Sequence, residues 1–306
     1  MIVMVEVLGG MRARTGTDVI ELGGPRQRRA LLAIALGRGS VVSDGAIINA
    51  VWEEGDELPA DPSNTVQLYV SRLRRLLGSD CILTDGSGYR LGEGVELDAD
   101  HFDRAVRVGR NQLRQGDIAG VLGSLQDGLA LWRGDAFGDL AGVEAARAEV
   151  ARLNELRVSA SELLGEARLA QDPQSALPDL EALAALHPLR EGPALLLARA
   201  REATGQRVEA LRGLAEFRSH LLETSGVDPT AAFDELESQV LDGSLPNPNV
   251  ATRALRGYEL AELVGEGAFG SIFRATQPKV NICPTCNVRT PYNPYQKVCG
   301  RCGHRP

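Results

Sequence analysis

Three groups of residues have types and spacings suited to chemistry. Near the C-terminus, Cys283-Pro284-Thr285-Cys286 and Cys299-Gly300-Arg301-Cys302 form two CxxC pairs separated by twelve residues. Each pair sets two thiolates on a tight turn, and the four complete a closed tetrahedral shell for one structural zinc ion. Iron in a rubredoxin-like four-sulfur site and a pair of disulfides satisfy the same spacing. Upstream, Gly265, Gly267 and Gly270 have the GxGxxG spacing that lets a backbone approach the phosphates of a nucleotide. The third group lies in the first hundred residues: Asn64, Thr65, Gln67, Leu68, Ser71, Arg72, Arg74 and Arg75. Its members suit duplex DNA, with Arg for guanine edges and phosphates, Asn and Gln for adenine edges, and Ser for phosphate oxygens.

The elements around this third group say how it would be held. The apolar run Ile2, Val3, Val5, Val7, Leu8 and a second stretch with Val19, Ile20 and Leu22 predict a small N-terminal antiparallel sheet. Pro25 sits where a first helical residue belongs, and Gly37 stops that helix. A second helix starts at Ser43, a good N-cap, and a third runs from Asp61-Pro62 to Gly78. In the third, Val66, Val70, Leu73 and Leu77 fall on one stripe; Asn64, Leu68, Ser71, Arg72 and Arg75 lie opposite, with Gln67 and Arg74 flanking. Ile82-Leu83 and Tyr89-Leu91 flank Asp85-Gly86-Ser87-Gly88, a hairpin pattern that places Gly88, Tyr89 and Arg90 on a wing. Helices followed by such a hairpin predict a winged helix-turn-helix whose last helix enters the major groove. Cys81, alone before the hairpin, reads as a small half-buried hydrophobe.

On these residues the chain resembles the Streptomyces antibiotic regulatory proteins. The resemblance rests on Gly24-Pro25-Arg26-Gln27-Arg28-Arg29-Ala30-Leu31-Leu32, on Val51-Trp52, and on the unbroken run from Asn64 to Gly78. It implies an OmpR-like winged helix followed by a bacterial transcriptional activation domain. It further implies binding to direct repeats that overlap promoters, contact with RNA polymerase holoenzyme, and control of secondary metabolism. Homodimers on tandem repeats are the matching expectation. Because the winged helix starts at Met1, no phosphoacceptor domain is expected ahead of it.

From Asp98 to about Ser244 the pattern is helical throughout. Two antiparallel helices meet at Gly116-Asp117, a long helix spans roughly 143–170, and shorter ones cover 175–187, 190–204, 206–223 and 230–241. Helix pairs at this interval predict a tetratricopeptide-like stack, which offers a surface for a protein partner and no chemistry of its own. The stretches Ala130–Gly134, His187–Glu191 and Thr204–Pro229 again resemble the family's activation domain. No nucleophile, base and orienter come together, so no enzyme is expected.

The fold class expected is therefore mainly α. A winged helix (1–97, α+β) precedes a tetratricopeptide-like domain (98–243), a linker (244–256), a glycine-loop fragment (257–280) and a zinc ribbon (281–306). Residues 257–273 resemble the glycine-rich loop of protein kinases, but no strand lysine, catalytic-loop aspartate or Asp-Phe-Gly follows. The cysteine tail resembles the small zinc ribbons of many bacterial proteins. An apolar share of 43% and a charged share of 24% exclude wholesale disorder and a collagen-like chain. No run is long and apolar enough to cross a bilayer and no signal peptide is visible, so a cytoplasmic protein is expected. A net charge of −8 requires any phosphate-binding surface to be local. The favoured function is a sequence-specific DNA-binding activator, with residues 1–97 recognising DNA unaided. The alternatives are an ATP-binding regulator related to protein kinases and a tetratricopeptide scaffold.

Overall fold

The computed structural model describes residues 2–245 and the strands 259–267, 270–276, 280–282 and 289–291. The described part is mainly helical, with small sheets at the N-terminal end. Strands β1 (Val3–Glu6), β2 (Arg12–Thr15) and β3 (Asp18–Ile20) form an antiparallel meander, followed by α1 (Pro25–Leu36). The short strand β4 (Val42–Ser43) leads into α2 (Asp44–Val51) and α3 (Pro62–Leu77). Strands β5 (Ile82–Asp85) and β6 (Gly88–Leu91) make the hairpin, and β7 (Val95–Leu97) returns to pair with β1. That last pairing is parallel, so the N-terminal sheet has the order β3-β2-β1-β7 and is not purely antiparallel as expected.

The helix ends follow the punctuation of the sequence. Pro25 and Pro62 occupy first turns, where the missing amide costs nothing. Ser43 accepts from the Ala46 amide at 3.3 Å and Asp61 from the Asn64 amide at 2.9 Å. Beyond the sheet, α4 (Asp98–Arg114) and α5 (Ile118–Ala130) form an antiparallel pair, capped where the Asp117 carboxylate accepts from Gly120. The long α6 (Glu144–Gln171), α7 (Pro173–Leu186), α8 (Glu191–Ala203), α9 (Arg207–Ser225) and α10 (Ala231–Asp242) continue as stacked helices. Leu177, Leu180, Leu196 and Ala200 form the core between α7 and α8, and Phe217 stacks on Phe233 at 5.3 Å.

A boundary expected at 97/98 coincides with no break in packing. Residues 1–236 form one compact unit, and one core cluster runs without interruption from Val3 to Ala167. The joint is built around Asp98, the first residue of α4. Its buried carboxylate accepts hydrogen bonds from the amides of Val7 at 2.7 Å and Leu8 at 3.1 Å. The loop after α5 completes the joint from the other side. The Arg133 amide donates to the Leu8 carbonyl at 2.8 Å, the Phe137 amide to the Val7 carbonyl at 2.7 Å, and the Arg133 guanidinium lies 3.5 Å from Asp98. Gly9, at φ +147, is required here, because a β-carbon would press on Arg133 at 3.1 Å. Burial raises the Asp98 carboxyl above the ordinary aspartate range, against the lowering effect of the two amides and Arg133.

A second tie joins the turn after α1 to α4 and α6. Arg38 adopts a left-handed backbone, φ +46, strained for a residue with a β-carbon. From there its guanidinium reaches Asp103 at 3.0 Å and Glu149 at 2.6 Å, and Arg152 bridges the same two carboxylates at 2.8 Å. Burial pushes the Glu149 carboxyl up, but Arg152 and Arg38 outweigh it and hold the group below the usual glutamate range.

The chain beyond residue 236 forms a second unit. Within it, β8 (Glu259–Gly267) and β9 (Gly270–Thr276) pair antiparallel, with Gly267 opposite Gly270, and β10 (Val280–Ile282) pairs with β11 (Arg289–Pro291). The expected metal ligands Cys283, Cys286, Cys299 and Cys302 lie outside the described residues.

Two predictions follow from the joint and the tie. A fragment of residues 1–97 lacks Asp98 and the apolar cover of Phe102, Val106, Phe137 and Leu140, so it should melt without cooperativity. Residues 1–172 should melt as a unit, and Asp98→Ala in the full chain should lower stability by about 2–4 kcal/mol, since two buried amides lose their acceptor. A cooperative, wild-type-like melt of 1–97 would contradict the shared core. Glu149, with its lowered pKa, contributes stability that is present above about pH 4.5 and lost as pH falls through its folded value. The stabilities of the wild type and Glu149→Gln should therefore differ at pH 7, by about 1 kcal/mol once solvent screening is allowed for, and converge as pH falls below the ordinary glutamate range. Parallel curves would show that the tie is not electrostatic.

Candidate nucleic-acid interface

Helix α3 is held by its apolar stripe and presents the rest. Val66, Val70, Leu73 and Leu77 are buried, whereas Asn64, Gln67, Leu68, Ser71, Arg72 and Arg75 are exposed. Six of the eight expected α3 site residues thus share one open surface. The other two turn to structural tasks. Thr65 is half-buried, and its hydroxyl donates to the Asp61 carbonyl at 2.9 Å, inside the first turn of the helix. Arg74 leans towards the hairpin, where Nε donates to the Ile82 carbonyl at 2.8 Å and Nη2 to the Thr84 hydroxyl at 2.8 Å. Its guanidinium also lies 5.9 Å from the Tyr89 ring centre. Arg74 fastens the wing to α3.

The hairpin is part of a three-stranded sheet in the order β4-β6-β5. Val42 pairs with Tyr89 and Ser43 with Gly88, so β4 anchors the base of the wing. This two-residue strand is too short to leave a pattern in the sequence. Gly88 and Tyr89, expected at the interface, are buried by this packing. A β-carbon on Gly88 would run into the Val42 carbonyl, which makes glycine the residue that fits. Burial raises the Tyr89 hydroxyl above its ordinary pKa, with Asp44 adding to the shift and Arg74 opposing it. Arg90 is half-buried, and its Nε lies 3.5 Å from Asp85. The exposed part of the wing is Thr84-Asp85-Gly86-Ser87, and Gly86 turns the chain at φ +58. Thr84 and Ser87, outside the expected site residues, stand on this exposed tip.

Several arginines around α3 are held in ion pairs. Arg28 pairs with Asp139, Arg29 lies 3.3 Å from Glu53, and Arg12 and Arg14 both pair with Glu6. Arg72 and Arg75 make no ion pair or hydrogen bond among the described residues, and α3 carries no carboxylate. Cys81, at the root of the wing, is buried and donates to the Leu77 carbonyl at 3.0 Å, and burial pushes its thiol up. Among the described residues no cluster of His, Cys, Asp and Glu is arranged to hold a metal ion.

Residues 18–91 match the family described as "Transcriptional regulatory protein, C terminal", and residues 97–241 match the "Bacterial transcriptional activator domain". Regulatory protein DnrI of Streptomyces peucetius is 30% identical over 252 residues, covering 78% of this chain and 91% of the relative. The chain belongs to the Streptomyces antibiotic regulatory protein family. Within that family, regulatory protein AfsR of Streptomyces griseus is 33% identical over 250 residues, 79% of this chain but 25% of AfsR, so the chain spans about a quarter of that relative's length. The solved structure of Mycobacterium tuberculosis EmbR in complex with a low-affinity phosphopeptide superposes with a TM-score of 0.75 at 25% identity, covering 83% of this chain and 69% of EmbR. The family's two domains are the winged helix carrying α3 and the tetratricopeptide-like stack behind it.

The different roles of two neighbouring arginines can be measured. Arg74→Ala should lower stability by about 1 kcal/mol and speed amide exchange throughout residues 82–91, because the Ile82 carbonyl and Thr84 lose their donor. Arg75→Ala should leave both unchanged. Equal exchange in the two variants would show that Arg74 does not fasten the wing.

Proposed function

We propose that the chain is a DNA-binding transcriptional activator that seats α3 in the major groove of direct repeats at promoters and brings RNA polymerase holoenzyme to them. The observation that carries this reading is the exposed face of α3, with Arg72 and Arg75 unpaired among the described residues beside a wing fastened by Arg74. Two solvent-facing guanidiniums on a helix without carboxylates make a local positive patch that attracts an anion even on a chain of net charge −8. Duplex DNA supplies phosphates and guanine edges at the width of one helix. Two copies on tandem repeats, control of secondary metabolism, a cytoplasmic location and the absence of enzymatic activity complete the proposal. The stacked helices α4 to α10 are the surface offered to the polymerase, consistent with an activator-type domain over residues 97–241.

The tail belongs to the same proposal. In sequence, Cys283 and Cys286 lie between the paired strands β10 and β11. With Cys299 and Cys302 they would hold one zinc ion, which would supply the folding energy that so short a segment lacks.

Gel shifts with duplexes selected by the protein from a random pool test the reading. Affinity should fall steeply with salt, as counterions are released. Arg75→Ala should cost about 1–3 kcal/mol and relax preference at one position. Zinc should be present at one equivalent, and its chelation should leave DNA binding intact. Unchanged affinity in an Arg72→Ala/Arg75→Ala protein, or loss of binding on chelation, would contradict the proposal.

A further inference from the structure

Leu68 occupies an odd place. At 100° per residue it lies almost diametrically opposite the buried stripe of Val66, Val70, Leu73 and Leu77, so it projects as far from the core as Arg75 does. It is 48% exposed and stands apart from the core cluster. Asn64 and Arg72 lie one turn to either side of it, and Gln67 and Ser71 border it, so an apolar group sits at the centre of an otherwise hydrogen-bonding face.

A lone exposed leucine is unremarkable on most surfaces. On this face its position is informative. Once polar neighbours have bonded to base edges and phosphates, a group at the centre of the face is pressed against the groove floor and loses its water. An apolar side chain there gains only from an apolar partner, and the major groove offers one such group, the 5-methyl of thymine. We propose that Leu68 is a specificity-determining residue that selects a thymine by packing on its 5-methyl group. The proposal rests on the DNA-binding reading above and adds the chemical identity of one base.

The test removes the methyl without touching the protein. A duplex selected from a random pool by the full chain is resynthesised with each thymine replaced in turn by deoxyuridine, which lacks only that methyl. At one position in each repeat the uracil duplex should bind about fourfold more weakly, equivalent to about 0.8 kcal/mol for one buried methyl. Leu68→Ala, checked by its melting temperature, should bind the thymine and uracil duplexes alike. If no replacement weakens wild-type binding, or if Leu68→Ala still discriminates fourfold, the assignment is overturned. A protein that selects no duplex at all overturns the DNA-binding reading and this inference with it, whereas selection without methyl dependence removes the inference alone.

Discussion

The carboxylate of Asp98 is the constraint on which the rest of the chain hangs. It ends one part of the molecule and begins the other, accepting the two amides at the close of β1 while starting α4. Two backbone amides at the end of a strand must find acceptors once water is excluded, and the sheet itself provides none in that direction. The helical part supplies that acceptor, and the loop at Arg133 and Phe137 reciprocates by donating to the carbonyls of the same two residues. The position of α3 is thereby referred, through the sheet and α1, to the frame of the long helices.

Charge is distributed with the same economy. Most arginines near the joint are spent internally: Arg133 on Asp98 and Glu6, and Arg38 and Arg152 on Asp103 and Glu149. Pairing of this kind lets an acidic chain carry many cations without a general affinity for polyanions. Arg104, Arg107 and Arg110 of α4 are also without an ion pair among the described residues but share their helix with Asp98, Asp100 and Asp103, whereas Arg72 and Arg75 lie on a helix that carries no carboxylate. The charge of α3 depends on the absence of carboxylates as much as on the presence of arginines.

The helices were legible because their ends carry physical marks. Proline at first turns, Ser43 and Asp61 as caps, and glycine at Gly37, Gly78 and Gly116 need no tertiary information to be read. Strand β2 was not legible: Arg12-Ala13-Arg14-Thr15 contains a single apolar inward residue, and its arginines are explained only by Glu6 across the ladder. The parallel pairing of β1 with β7 joins segments some ninety residues apart in sequence, which no local pattern announces. At the interface, helical periodicity separated the buried stripe from the open face correctly. It left Arg74 undecided, because a flanking position can serve either side, and the long guanidinium chose carbonyl and hydroxyl acceptors on the hairpin. Gly88 and Tyr89 were read as wing surface because the strand that covers them, β4, is two residues long.

The shared core has a consequence for how such proteins diversify. A recognition element joined to its neighbour by a flexible linker can be exchanged between paralogues like a bead on a string. Here a transplanted winged helix would arrive without the carboxylate, the arginine and the apolar cover that its own first strand requires. Productive recombination must carry α4 to α6 along with α3, or else confine itself to the exposed side chains of α3. New operator preferences in this lineage would then arise mainly by point substitution on one helical face, with the scaffold beneath inherited whole.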